Sequence, residues 1–340
     1  MCIVSADPKR RSSLKRAVHF IVVALLAGSA TAQESAPNVE ELFEAGRTWV
    51  RENVDPDVVQ KIEQIDVAKV QKIWREVQTS LQGDYVLDLA PLKPGAAWTA
   101  TILESQESTR PYGAWLRTRL DYFDVAEQLQ VAIPPPPGPQ PPVTPPEPQR
   151  TNRPPVLVPA PAPRQNPSPV LQRKVWRREL SQRPLPPDGD KYARLLKPVF
   201  RAGGVPEELV WMAEVESSFN TTARSPAGAA GLFQFMPTTA KSLGLALAPV
   251  DERRDPERSA KAAAIYLKRL YARFHSWPLA LAAYNVGEGT VGKLLGNHRG
   301  GNFDDIATHL PAETQMYVPK IDATLLRREG KGLDALAPAT

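Results

Sequence analysis

The chain has 340 residues, 42% of them hydrophobic and 23% charged, which is enough for a folded core and excludes wholesale disorder. Its formal charge of +5 is concentrated at the start, because five Lys/Arg and one Asp fall within residues 1–32 and the remainder carries only +1. A near-neutral balance of that kind argues against nucleic acid as a partner. The single cysteine, Cys2, lies in the same leading segment, so beyond it the chain has no thiol for a disulfide, a metal site or a nucleophile.

Residues 1–32 have the three parts of an export signal: the basic run KRRSSLKR, the apolar run AVHFIVVALLAG and the small residues SATA. The apolar run is short of the roughly 20 residues that a bilayer requires, so cleavage and export to the periplasm or exterior are expected, without a stable membrane anchor. Residues 33–132 are acidic, with 17 Asp/Glu against 10 Lys/Arg. Val58, Ile62, Ile65, Val70, Ile73 and Val77 recur at helical spacing and predict an amphipathic helix, which reads as a packing region of unknown role. Aromatics in WLRTRLDYF (115–123) suit either the wall of a ligand groove or a core, and at helical spacing they are read as core.

Proline dominates the next stretch, with 17 of the 36 prolines between Pro134 and Pro169. Proline fixes φ and removes a donor, so residues 133–170 are expected to be an extended linker. An unknown protein partner of this linker or of the N-terminal region is left open. Residues 171–335 return to helical periodicity, broken by glycine turns. Pro206, Glu207 and Glu208 suit a first helical turn. SAKAAAIYLKRLYARF (259–274) predicts a long amphipathic helix, and PLALAAYNVG a short apolar one closed by Gly287.

Within AEVESSFN (213–220), two carboxylates stand two residues apart. If PEELVWMAEVESSF is one helix, Glu216 lies on the apolar stripe of Leu209, Met212 and Ala213, whereas Glu214 faces the opposite side with Trp211 and Ser218. Burial disfavours the charged form of a carboxyl and raises its pKa, which a general acid near neutral pH needs. The four histidines (His19, His275, His298, His309) show no zinc-ligand spacing.

Four motifs in order carry a resemblance to a known family: ES (Glu216, Ser217), GLFQFMP (231–237, where the family usually has GLMQ), AYN (283–285) and LPAETQMYV (310–318). Over roughly residues 200–330 the sequence resembles the lytic transglycosylases of the soluble, Slt-like type, a branch of the lysozyme superfamily. The resemblance implies a mainly α chain, with a lysozyme-like catalytic domain at 171–335 preceded by a separate helical region and the proline-rich linker. It implies that Glu216 is the single catalytic acid and base, and that Ser217, Ser225, Gln234, Met236, Tyr284 and Asn285 line a sugar cleft. Glu313 would be a buried carboxylate behind the cleft and Tyr317 part of the wall behind it. The substrate implied is peptidoglycan, cut between N-acetylmuramic acid and N-acetylglucosamine with formation of a 1,6-anhydro ring, and no metal or cofactor is implied. A goose-type-lysozyme-like hydrolase and a non-catalytic peptidoglycan-binding module are the alternatives. The +8 balance of residues 133–340 suits an anionic polymer under each of them.

Overall fold

The computed structural model describes residues 67–105, 107, 109–132, 164–297 and 301–340. The expected signal and most of the expected linker lie outside these residues. The described chain is helical, and its only β features are the isolated bridges Arg224 to Ala230 and Ala230 to Phe235. Among the described residues no helix is long and apolar enough to cross a membrane.

Four helices come first: α1 (Val67–Gln82), α2 (Lys93–Ser105), α3 (Arg110–Arg117) and α4 (Leu120–Ala132). The expected period is present in α1, where Val70, Trp74, Val77 and Leu81 are buried at three- and four-residue spacing. Val58, Ile62 and Ile65 lie outside the described residues. Two more helices follow, α5 (Pro169–Leu180) and α6 (Gly189–Ala202). A 3-10 turn, Glu207–Trp211, then leads into the six-residue α7 (Met212–Ser217). After a compact loop come α8 (Pro237–Ser242), α9 (Pro256–Phe274), α10 (Trp277–Val286), α11 (Glu288–Asn297), α12 (Phe303–Ile306) and α13 (Ala312–Glu329). The two helices expected around α9 and α10 are present, and Gly287 closes α10 at φ 94°.

Two apolar clusters make the core. The larger surrounds α9 and α10, with Phe200, Leu209, Met212, Phe233, Leu267 and Leu281 among its members. The second joins Trp74, Leu81, Trp115 and Phe123 of the N-terminal helices to Trp176 of α5 and to Ala312 and Met316 of α13. Helix α13 lies between them, because Tyr317, Ile321 and Leu325 belong to the first cluster while Met316 and Ala323 belong to the second. Every residue from Ala312 to Leu325 is buried in consequence.

This packing joins the helices of the acidic region to α5 and α13 of the region that follows. The physical reason is that α1, α3 and α4 have no sufficient core of their own and complete it against α5 and α13. Polar ties reinforce the contact: the backbone N–H of Ala312 donates to Gly83 O at 2.7 Å, and Lys320 Nζ donates to Thr118 O at 2.7 Å and Asp121 Oδ1 at 2.9 Å. Burial lowers the Lys320 pKa to about 8. The linker also ends earlier than its composition suggests. The Asn166 side chain accepts from Val86 N–H at 3.0 Å and donates to Asp84 O and Thr308 O, so the last prolines already sit in packed structure.

The segment around the paired carboxylates also departs from expectation. PEELVWMAEVESSF is not one helix, since the 3-10 turn shifts the side-chain phase before α7 begins. Ser218 and Phe219 then adopt left-handed backbone, at φ 50° and 58°. Helix α7 is enclosed on both sides, so Glu214 and Glu216 are both buried, at 6% and 4% exposure. Glu214 is therefore not a solvent-facing neighbour. Its carboxylate accepts from Arg328 Nε at 2.9 Å and Nη2 at 2.7 Å, a bidentate pair that neutralises it.

Candidate active site

A cleft of about 430 Å³ opens beside the end of α7, and Glu216 lines it. The Glu216 side chain is presented by the last turn of α7 and fixed by α13, whose Tyr317 hydroxyl donates to Oε1 at 2.6 Å. Burial raises the Glu216 pKa to about 7 against the opposing pull of Arg119 and the Tyr317 hydrogen bond. The acid is thus half protonated near neutrality. Burial also pushes the Tyr317 and Tyr284 phenols well above their usual value, so both stay protonated donors.

The loop between α7 and α8 builds one wall. Gly231 is required there: at φ 82° a Cβ would lie 1.8 Å from the Arg253 carbonyl oxygen, which no other residue tolerates. Arg253 staples the same loop from behind, donating to Gly228 O at 2.7 Å and Phe235 O at 2.8 Å while Asp251 holds its guanidinium. The loop is thereby rigid where it presents Ser225, Gln234 and Met236 to the cleft. Ser225 Oγ accepts from the Ala229 N–H at 2.9 Å. Gln234, itself at φ 48°, donates from Nε2 to Gly231 O at 2.8 Å, leaving its Oε1 buried without a donor among the described residues.

The AYN motif lies at the last turn of α10, where the chain turns at Gly287. Tyr284 donates to Phe233 O at 2.8 Å, and Asn285 Oδ1 accepts from Thr314 Oγ1 at 2.6 Å, and both residues line the cleft. Ser217 does not. Its hydroxyl is buried within 3.1 Å of Ala213 O and 3.0 Å of Leu232 O, so it ties α7 to the loop and does not face the cleft. Its expected place in the sugar cleft is corrected accordingly: its hydroxyl is taken up by backbone carbonyls of α7 and the loop.

Glu313 is buried as expected but also reaches the cleft, paired with Arg119 Nε at 2.8 Å. Arg119 comes from the connection between α3 and α4, is 6% exposed, and stacks on the Trp115 indole at 4.2 Å. With Gln78, Leu81 and Gln82 of α1, Trp115 and Arg119 form a second wall that the sequence reading did not assign. Tyr266 of α9 was missed as well. The aromatic run 115–123 carried the available signal, but a core reading absorbed it. Asp304 and Asp305 stay out of the cleft. The first pairs with Arg173 at 2.6 Å and the second caps α12 with Asn302. Among the described residues no cluster of His, Cys, Asp or Glu could hold a metal ion.

Comparison with known proteins finds likeness in the C-terminal half of the chain. Residues 200–306 match the family Transglycosylase SLT domain. Over 121 residues the chain is 42% identical to the membrane-bound lytic murein transglycosylase D of Escherichia coli strain K12, a match covering 34% of this chain and 27% of that protein. It is 36% identical over 116 residues to the membrane-bound lytic murein transglycosylase F of Alcanivorax borkumensis, covering 30% and 24% respectively. The chain thus spans about a quarter of the length of these relatives. A solved inactive mutant of the lytic transglycosylase Slt from Pseudomonas aeruginosa aligns over 97% of this chain and 57% of that one, at 18% identity and a TM-score of 0.38. Glu216, Gln234, Tyr284 and Asn285 all lie inside the segment that matches the Transglycosylase SLT domain, and Glu313 and Tyr317 lie beyond it.

Proposed function

We propose that the protein is an exported peptidoglycan lytic transglycosylase in which Glu216 acts first as acid and then as base. The observation that carries this reading is a single protonatable carboxyl, buried at the cleft and raised to about 7, beside a second carboxylate already neutralised by Arg119. Glu216 gives its proton to the oxygen that bridges N-acetylmuramic acid and N-acetylglucosamine, and the C1–O bond breaks. The 2-acetamido group of the muramic acid stabilises the positive charge that develops at C1. The Glu216 carboxylate then takes the proton of the muramic acid's C6 hydroxyl, whose oxygen bonds C1 and closes the 1,6-anhydro ring. No water is consumed, and Glu216 ends protonated as it began.

Glu313 is the one observation that favours a lysozyme-like hydrolase, because it too lines the cleft. To activate water it would have to be released from Arg119. An internal hydroxyl, by contrast, enjoys effective molarities that reach roughly 10⁵ M in well-oriented systems. Mass spectrometry of muropeptides released from purified sacculi tests the choice. Products ending in 1,6-anhydromuramic acid, one water lighter than hydrolysis products, are expected. Mainly hydrated, reducing-end products would make the enzyme a hydrolase. Export, with removal of residues 1–32, is part of the same proposal and agrees with a substrate that lies outside the cytoplasm.

A further inference from the structure

The helices that precede the SLT domain bring a polar group of their own to the cleft. We propose that Gln78, on α1, contacts the glycan and hydrogen-bonds an acetamido group of the sugar seated beside it, an inference that rests on the peptidoglycan reading above. Gln78 Nε2 is buried and no described residue accepts from it, although α1 otherwise buries apolar side chains at this face. A buried amide N–H without an acceptor carries a desolvation cost, and a sequence keeps one most readily where a ligand relieves it.

Placement makes the case specific. Of the buried side-chain polar atoms that lack partners among the described residues, only Gln78 Nε2 and Gln234 Oε1 belong to residues lining the cleft of Glu216. One is a donor, the other an acceptor, and they stand on walls supplied by different parts of the chain. An N-acetylated sugar offers the complement of each, a carbonyl oxygen and an N–H. A hydroxyl-only glycan lacks that pairing of an amide acceptor with an amide donor.

The wall that holds Gln78 is anchored to the helix that holds the catalytic machinery. One turn on, Gln82 Nε2 donates to Glu313 Oε2 at 3.4 Å, and Asp84 O accepts from Gln315 Nε2 at 2.9 Å. Together with the bond from Ala312 to Gly83, these ties fix the end of α1 to the first turn of α13. A group so held is pre-organised, and its hydrogen bond carries little ordering cost.

The test uses the full chain carrying E216Q, so that substrate is bound and not cut, with Q78L or Q78E added. Affinity is measured by calorimetry for a pentamer of N-acetylglucosamine and for its fully N-deacetylated counterpart, and each variant's Tm is recorded. Loss of one neutral hydrogen bond corresponds to a fall of about 2- to 10-fold, expected for the acetylated pentamer in both variants and absent for the deacetylated one. Q78L should also keep or raise the Tm, since it removes an unpaired buried donor. If Q78L fails to fold, the isosteric Q78E decides, and undiminished affinity there overturns the assignment. An E216Q parent that binds neither sacculi nor the acetylated pentamer would sink the peptidoglycan reading and this inference with it. An inactive parent whose affinity is untouched by either change sinks Gln78 alone.

Discussion

Replacing Glu216 by Gln should make the protein more stable at alkaline pH and leave it nearly unchanged at acid pH. The folded state raises the Glu216 pKa from 4.5 to about 7, mainly through burial. The folded chain therefore binds the proton more tightly than the unfolded one, and protonation stabilises it. This contribution is fully present below 4.5 and is lost as pH rises through 7, by about 1.4 kcal/mol per pH unit and roughly 3 kcal/mol in all. Gln keeps the shape, still accepts from Tyr317, and has no proton to lose. The difference between the two unfolding curves cancels every other titrating group, so it isolates this one. At about 2–4 °C per kcal/mol for a chain of this size, the Tm advantage of E216Q should grow by roughly 6–12 °C between pH 4 and pH 9. Thermal unfolding followed by circular dichroism across that range is sufficient. Parallel curves with a constant offset would refute the reasoning, because they would mean that the carboxyl is ionised at no unusual cost. The same proton predicts that kcat/KM falls as pH rises past about 7, while E216Q itself turns over at least roughly 100-fold more slowly.

Glu214→Gln should act on stability and not on chemistry: with Arg328 left buried and half paired, a loss on the order of 3 kcal/mol is expected, while folded enzyme at low temperature keeps its kcat. Denaturant unfolding with parallel turnover measurements checks this, and a kcat loss comparable to that of E216Q would reverse the assignment of the two carboxylates. A fragment beginning at Leu171 should fail to unfold cooperatively and should bind a hydrophobic dye, because it strips Trp74, Trp115 and Phe123 from α5 and α13. A sharp calorimetric transition in that fragment would show that the catalytic half stands without its N-terminal helices.

The buried glutamate of the cleft was legible because burying a carboxyl leaves a pattern: Glu216 falls in step with Met212 and Ala213 even though the helix around it is interrupted. The glycine of GLFQFMP was legible for the same kind of reason, since a left-handed turn against another backbone admits nothing larger. Glu214 was misplaced because its partner, Arg328, lies far along the chain, and periodicity carries no information about distant charges. The second wall of the cleft was invisible for a related cause. Residues of α1 and α3 look like ordinary packing helices until α13 is placed against them, and only the tertiary fold turns Trp115, Arg119 and Gln78 towards Glu216. Ser217 shows the opposite failure, where a motif neighbour of the acid is spent on holding the backbone.

The position of α13 has a consequence for the order in which the site comes into being. Its Glu313 and Tyr317 meet Arg119, 194 residues earlier, and Glu216, 101 residues earlier. Contacts of such high sequence separation close late in folding, since the chain between them must be collected first. A chain that has not yet delivered α13 has neither the hydroxyl that orients Glu216 nor the burial that raises its pKa. On the function proposed above, the acid of the cleft is therefore complete only once α13 has packed, and a partly folded chain is inert towards the glycan.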